Sequence, residues 1–167
     1  MSDEQSPFIE KIVACPACGH KQAQPFFRVR RFVPGKKESD GHILEYKWLV
    51  HNVKQVNPAY YALHYCLNCH YVDTIEDFSG SGNNNHSYRL LKTFKNVSGP
   101  ESDSIQFIAG HIQYTDIGFE SALNLHFLAI YERMLVPVEL IEHRKIARLL
   151  LRVAWLYREQ ATAGRSE

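Results

Sequence analysis

Cys15-Pro16-Ala17-Cys18-Gly19 and, after 47 intervening residues, Cys66-Leu67-Asn68-Cys69-His70 decide how this chain is read. A tetrahedral metal site needs four ligands converging on one point. Two Cys-x-x-Cys turns supply them, because each two-residue spacer lets both sulfurs face one way with backbone N–H groups pointed at them. Pro16 stiffens the first turn, and Gly19 permits the positive φ that commonly follows the second cysteine. The gap between the pairs exceeds the ~15–20 residues of compact zinc ribbons and suits a ribbon with a β-hairpin inserted between its knuckles. The expected cofactor is one structural Zn2+ per chain, held by Cys15, Cys18, Cys66 and Cys69. Four thiolates close the coordination shell and weaken the metal as a Lewis acid, whereas catalytic zinc keeps an open position.

The same cysteines admit other chemistries. A thioredoxin-like pair uses one Cys-x-x-Cys at a helix N-terminus after a strand, and no βαβ pattern accompanies these. An iron–sulfur cluster takes the same four thiolates, and spacing alone does not separate it from zinc. Cys66 to His70 formally matches the c-type haem attachment pattern, a reading that leaves Cys15 and Cys18 without a role. His70 is instead read as a side chain flanking the metal, donating to a cysteine sulfur.

Composition bounds the rest. The chain has 167 residues, 45% hydrophobic and 22% charged, with a formal net charge of +1. That is ordinary globular composition, long enough to bury a core without disulfides. No apolar run approaches the ~18–20 residues of a membrane span. Residues 1–10 are acidic and polar, the reverse of a signal peptide. The expectation is a soluble cytoplasmic protein, where paired cysteines mean metal or redox chemistry.

Working outward from the knuckles, residues 1–10 read as a loose leader. Phe26 to Val33 reads as a strand ended by Pro34-Gly35, and His42 to His51 as a second. Tyr60 to Tyr65 reads as a third, leading into the second cysteine pair. Ser79 to Ser87 is a Gly/Ser/Asn stretch that reads as a linker, and Tyr88 to Val97 as a short helix. Three helical patterns follow, about Ser102 to Tyr114, Phe119 to Leu135 and Val138 to Gln160, with Pro137 in the first turn of the last. The expected fold is α+β, with a zinc ribbon-like β module over residues 1–78, a loop with a short helix over 79–100 and antiparallel helices over 101–167.

CPACGHKQ, the aromatic and basic strand after it, NPAYYALHYCLNCHYVDTIEDF and the closing LLRVAWLYRE together resemble the bacterial family grouped as domain of unknown function 2225. That family shows a CPxCG knuckle, an Asn-Pro-x-x-Tyr lead-in, a second CPxCGYA knuckle and an acidic-Phe end. The resemblance covers most of residues 12–160. This chain departs at the second knuckle, with Leu67 where the family often has Pro and His70 where it has Gly. The resemblance implies a zinc-binding β module with tetratricopeptide-like helices and no established activity.

No P-loop, dinucleotide fingerprint, H-E-x-x-H or G-x-S-x-G motif is present, so no enzymatic activity is expected. His111 and Asp116 are a weak acid/base candidate, and SGSGNNN lacks the lysine and helix start of a phosphate loop. In the last helix, Ala147, Leu150, Leu151, Ala154 and Trp155 read as an apolar face, extended by Ile146, Leu149, Val153 and Leu156. Such an arc is wider than a surface helix requires and must be covered on two sides. One cover is the preceding helix, through Ala122, Leu125, Leu128 and Ala129. The other is the first helix, the β module or a partner, for which Trp155 and Tyr157 are the expected anchors. Lys145, Arg148, Arg152 and Glu159 form a mostly basic stripe, favouring an acidic rim. The expected function is a non-catalytic adaptor or scaffold acting through its helices on a protein partner or on itself. The alternative is nucleic-acid binding through the basic strip of residues 11–37, using Arg28, Arg30, Arg31 and Phe32 as cations and a stacking ring.

Overall fold

The first knuckle is the turn of a hairpin. β1 (Phe8–Ala14) pairs antiparallel with β2 (Lys21–Phe27), from Phe8 opposite Phe27 to Ala14 opposite Lys21. The computed structural model describes residues 6–80 and 85–163. The expected leader is therefore structured from Phe8 onward, and the first strand after the knuckle runs from Lys21 through Pro25 to Phe27 rather than starting at Phe26. Pro25 is tolerated because a two-stranded ribbon leaves alternate N–H positions unpaired.

FFRVRRFV is not one strand. The chain turns at Arg28–Arg31, where Arg30 takes φ 60°, and resumes as β3 (Phe32–Pro34). β3 pairs antiparallel with β4 (Tyr46–Trp48), a far shorter strand than His42 to His51. This is the hairpin inserted between the knuckles. Asn57 caps a 3-10 turn, Pro58–Tyr61, where the sequence suggested strand. β5 (Leu63–Tyr65) and β6 (Val72–Thr74) then form a third antiparallel ribbon with the second knuckle as its turn.

Thr74 caps α1 (Ile75–Phe78), its hydroxyl accepting from the Asp77 N–H. α2 (Asn85–Phe94), α3 (Pro100–Ala109), α4 (Phe119–Met134) and α5 (His143–Ala163) follow. Part of the expected linker, residues 81–84, lies outside the described residues. α2 already runs at Asn85, within the stretch expected to be linker. α5 begins later than expected. Val138–Leu140 makes a 3-10 turn and Ile141 is extended, so Pro137 opens that turn rather than the helix. Half-buried Leu140 and Ile141 pack against the core there, which holds the segment off a helical path.

The architecture is thus mixed α and β, with three small antiparallel ribbons and five α-helices among the described residues. α4 is the central helix. It packs against α3 and α5, and also against β5 and β6. Ala122, Leu125, Leu128 and Ala129 are fully buried. Phe119 meets Tyr157 at 5.7 Å between ring centroids, so α4 and α5 run antiparallel. One continuous core joins Tyr71, Phe78 and Phe94 around the second knuckle to Ile105, Leu149 and Leu156 of the helices. Among the described residues, no helix is long and apolar enough to cross a membrane.

Candidate metal centre

Both knuckles share one backbone pattern. In the first, Cys15 N donates to His20 O and Gly19 N to Cys15 O, both at 2.8 Å. In the second, Cys66 N donates to Tyr71 O at 2.9 Å and His70 N to Cys66 O at 2.8 Å. Gly19 and His70 occupy equivalent positions, with φ of 77° and 68°. A histidine therefore holds the left-handed conformation that a glycine supplies in the first turn, and the turn geometry survives the replacement.

These turns bring the four sulfurs together. All lie within 4.8 Å of one another, with Cys15 Sγ 3.6 Å from Cys69 Sγ and Cys18 Sγ 3.6 Å from Cys66 Sγ. A disulfide needs about 2.05 Å. A tetrahedron with Zn–S bonds of about 2.3 Å has edges of about 3.8 Å, so the spacing suits a metal rather than a bond between sulfurs. The four cysteines can hold one metal ion. Cys15 and Cys66 are buried, Cys69 is half-buried and Cys18 faces solvent.

The electrostatics point the same way. The Cys69 sulfur beside it, helped by the N–H groups of Cys18 and Ala17, pulls the Cys15 thiol down to about 5 against its burial. The Cys15 contact and burial push the Cys69 thiol up. Burial pushes the Cys66 thiol up to about 11, opposed by the N–H groups of Cys69 and Asn68. A divalent cation at the centre favours the thiolate at all four positions.

The side chains that brace the cluster escaped sequence reading. Gln22 and Gln24, on the inward face of β2, each donate Nε2 to Tyr65 O at 2.9 Å. Gln22 Oε1 accepts from Leu67 N at 2.9 Å, and Gln24 Oε1 accepts from the Tyr114 hydroxyl. These glutamines join the first hairpin to the second knuckle. His70 does not turn to a sulfur: its Nδ1 lies 2.6 Å from the Tyr65 hydroxyl, and the two rings stack. The side chain that reaches a sulfur is Asn68, whose Nδ2 is 3.5 Å from Cys18 Sγ. Asn68 in the knuckle spacer was the available signal.

The other candidate residues lie apart from this centre. His111 Nδ1 meets Phe107 O and Asp116 pairs with Lys54, so the two do not face each other. Arg28 Nε donates to Phe8 O, while Arg30 is exposed in the turn and Arg31 is partly buried there. Phe32 packs between the rings of Phe27, Tyr46 and Trp48.

On α5 the expected faces are exchanged. Leu149, Val153 and Leu156 enter the core, whereas Ala147, Leu150, Leu151 and Ala154 are exposed. Periodicity marked both arcs and could not rank them, because residues one position apart in the helix are almost equally apolar. Trp155 is not a free anchor. Its indole stacks on His42 at 5.3 Å and Nε1 donates to Asp40 at 3.0 Å. Tyr157 is 51% exposed, Arg148 is exposed and Arg152 is half-buried.

No curated protein and no solved structure matches the chain. A family model does, over residues 8–166, a span that takes in both knuckles, the inserted hairpin and all five helices. With that coverage, the chain belongs to the family described as an uncharacterized protein conserved in bacteria, DUF2225.

Proposed function

We propose that this protein is a non-catalytic adaptor in which one structural zinc ties the β ribbons together and the helices engage a protein partner. The supporting observation is the outer face of α5. Leu150 is 51% exposed and Leu151 39%, with Ala147, Ala154 and Tyr157 beside them on the helical repeat. Burying leucine side chains stabilises by roughly 1.5–3 kcal/mol each, so a run of them left in water marks an interaction surface. In this reading α4 and α5 form a tetratricopeptide-like antiparallel pair. Exposed Arg144 and Arg148 give the face a basic edge suited to a partner with an acidic rim.

Zinc is the favoured metal because four cysteine sulfurs in a closed tetrahedral array form its usual structural shell. The test compares wild type with Leu150→Glu/Leu151→Glu. A partner identified with wild-type bait and rebuilt from purified components should lose at least tenfold in affinity to the variant, with metal content unchanged. Equal binding by both proteins contradicts the reading. So does tight, steeply salt-dependent binding to a single-stranded oligonucleotide that Arg30→Ala/Arg31→Ala removes.

A further inference from the structure

The first hairpin leaves one edge of β1 open. Two bonds at its ends, Cys15 N to His20 O at 2.8 Å and Arg28 N to Pro7 O at 2.9 Å, set the phase of the ladder. Bonded and non-bonded pairs alternate in an antiparallel ribbon, so Ile9, Lys11 and Val13 are the residues that bond to β2. Glu10, Ile12 and Ala14 turn their N–H and C=O groups the other way. β1 has β2 as its one sheet neighbour, and among the described residues none of those outward groups has a partner. At the Phe8 end the chain closes its own edge: Phe8 N donates to Ser6 Oγ at 3.2 Å, and Phe8 O accepts from Arg28 Nε. The open stretch therefore runs from Glu10 to Ala14.

Folded proteins usually keep an edge strand short, bulged or covered. β1 is 7 residues long and holds a continuous register with no bulge. Ile9, Glu10, Lys11 and Ile12 are exposed in succession, so neither face of the strand is covered there. Ile12 is 71% exposed, an apolar side chain left in water beside free backbone groups. An extended chain laid along this edge satisfies the backbone groups and covers the isoleucine. In strand addition of this kind, main-chain bonds hold the peptide and alternate side chains select it.

Selection here is by charge. On the Ile9 and Lys11 face lies a groove of about 530 Å³ whose lining carries Lys11, Arg28, Arg30 and Arg31 and no acidic residue. Lys11, Arg30 and Arg31 make no ion pair with a described residue. The turn that carries the arginines is strained, because Arg30 takes φ 60° and no side-chain bond to a described residue holds it there. Glu10 lies on the opposite face of the ribbon, with Ile12. An incoming strand therefore fits best with acids on the Lys11 face and apolar side chains on the Ile12 face, an alternation of period two.

The same cations do not make a nucleic-acid surface, which needs free ring faces beside them. Phe32 is enclosed by Phe27, Tyr46 and Trp48. Phe26 meets His64 edge-on at 4.8 Å, and the Lys11 ammonium sits 4.7 Å from its ring centre. A free backbone edge, by contrast, serves another polypeptide.

We propose that β1 accepts an acidic extended peptide as an antiparallel third strand of the first hairpin. The peptide backbone bonds to Glu10, Ile12 and Ala14, its carboxylates turn toward Lys11, Arg30 and Arg31, and its alternate apolar side chains cover Ile12. The surface uses no residue of α5 and stands or falls independently of the adaptor face there.

The test follows amide hydrogen exchange of the full chain in 1H–15N spectra, with acetyl-Gly-Glu-Val-Glu-Val-Glu-Gly-amide as the probe. Saturating peptide should slow exchange at Glu10, Ile12 and Ala14 about tenfold or more, and much less at Lys11, which is already bonded to β2. N-methylation of the valines, whose N–H groups face β1 in this register, should abolish binding, whereas N-methylation of the glutamates should not. A peptide with lysine in place of each glutamate should not bind. Lys11→Glu/Arg30→Glu should weaken binding about tenfold or more, since both side chains are exposed and oppose the same carboxylates. The methylated peptides decide the matter on the wild-type chain even if the variant fails to fold. Absence of saturable protection by the glutamate peptide overturns the proposal, as does equal binding of the valine-methylated or the lysine peptide. Protection that grows with protein concentration alone assigns the edge to a second copy of the chain. Stronger protection by an oligothymidine than by the peptide assigns it to nucleic acid, and either result overturns the proposal.

Discussion

His126 shows at the residue scale how burial makes stability depend on pH. Burial holds its pKa down to about 4, whereas an exposed histidine titrates near 6.5. The unfolded chain therefore takes up this proton first as pH falls. The stability is complete above about pH 6.5 and is lost progressively toward pH 4. From pH 7 to pH 5 this single group should remove about 2 kcal/mol. Urea unfolding of wild type and His126→Phe at the two pH values checks it. The wild type should lose that much more than the variant, and equal losses contradict it. His70 gives a second expectation. Because its partner is the Tyr65 hydroxyl and not a sulfur, His70→Ala should keep one metal per chain and lose about 1 kcal/mol of stability, measured by metal analysis and denaturant melting. The four clustered cysteines were legible because Cys-x-x-Cys spacing encodes local geometry. Gln22 and Gln24 were not, because a polar residue on a strand reads as solvent-facing until its partner, here Tyr65 O from 41 to 43 residues away, is in view.

Elements meet through a buried polar layer that periodicity does not reveal. Glu132 and Arg133, near the end of α4, reach β6. Glu132 Oε2 accepts from Val72 N at 3.1 Å, and Arg133 pairs with Asp73, both partners almost wholly buried. Complete burial pushes the Glu132 carboxyl well above the usual carboxylate range, opposed by the Val72 N–H and Arg133. Removing one partner of a buried pair strands the other charge. Asp73→Ala should therefore cost about 3–5 kcal/mol, while the paired change Asp73→Leu/Arg133→Met should recover most of it. Thermal melts of the three proteins decide this, and a tolerated Asp73→Ala would show that the pair is not what docks helix on ribbon. α5 offers a complementary contrast. Leu149→Ala, in the core, should cost about 2–5 kcal/mol, whereas Leu150→Ala, on the outer face, should stay within about 0.5 kcal/mol. Equal costs would return Leu150 to the interior. Helix positions were readable from the sequence because their apolar repeats are long. The strands were misplaced where a residue without turn chemistry, Arg30, carries the chain through a left-handed turn between β2 and β3.

Over the whole molecule, the cysteine cluster and the helical core are one structure. Tyr71, immediately after the second knuckle, packs against Phe78 and Phe94, and its neighbour Val72 is bonded to Glu132 of α4. The sequence suggested one compact unit with the β module packed against the helices, but it does not show that α4 is the helix that lies against β5 and β6. Structural zinc contributes on the order of 10–16 kcal/mol in small finger peptides, comparable with the total stability of a domain. Loss of any ligand should accordingly loosen the helices as well as the ribbons. The most direct test is elemental analysis of the purified, folded protein beside Cys66→Ser, each followed by circular dichroism. The account predicts one zinc per wild-type chain, none in the variant, and loss of helical signal when the metal is lost. Folded wild-type protein without a bound metal, or with iron in place of zinc, would contradict it.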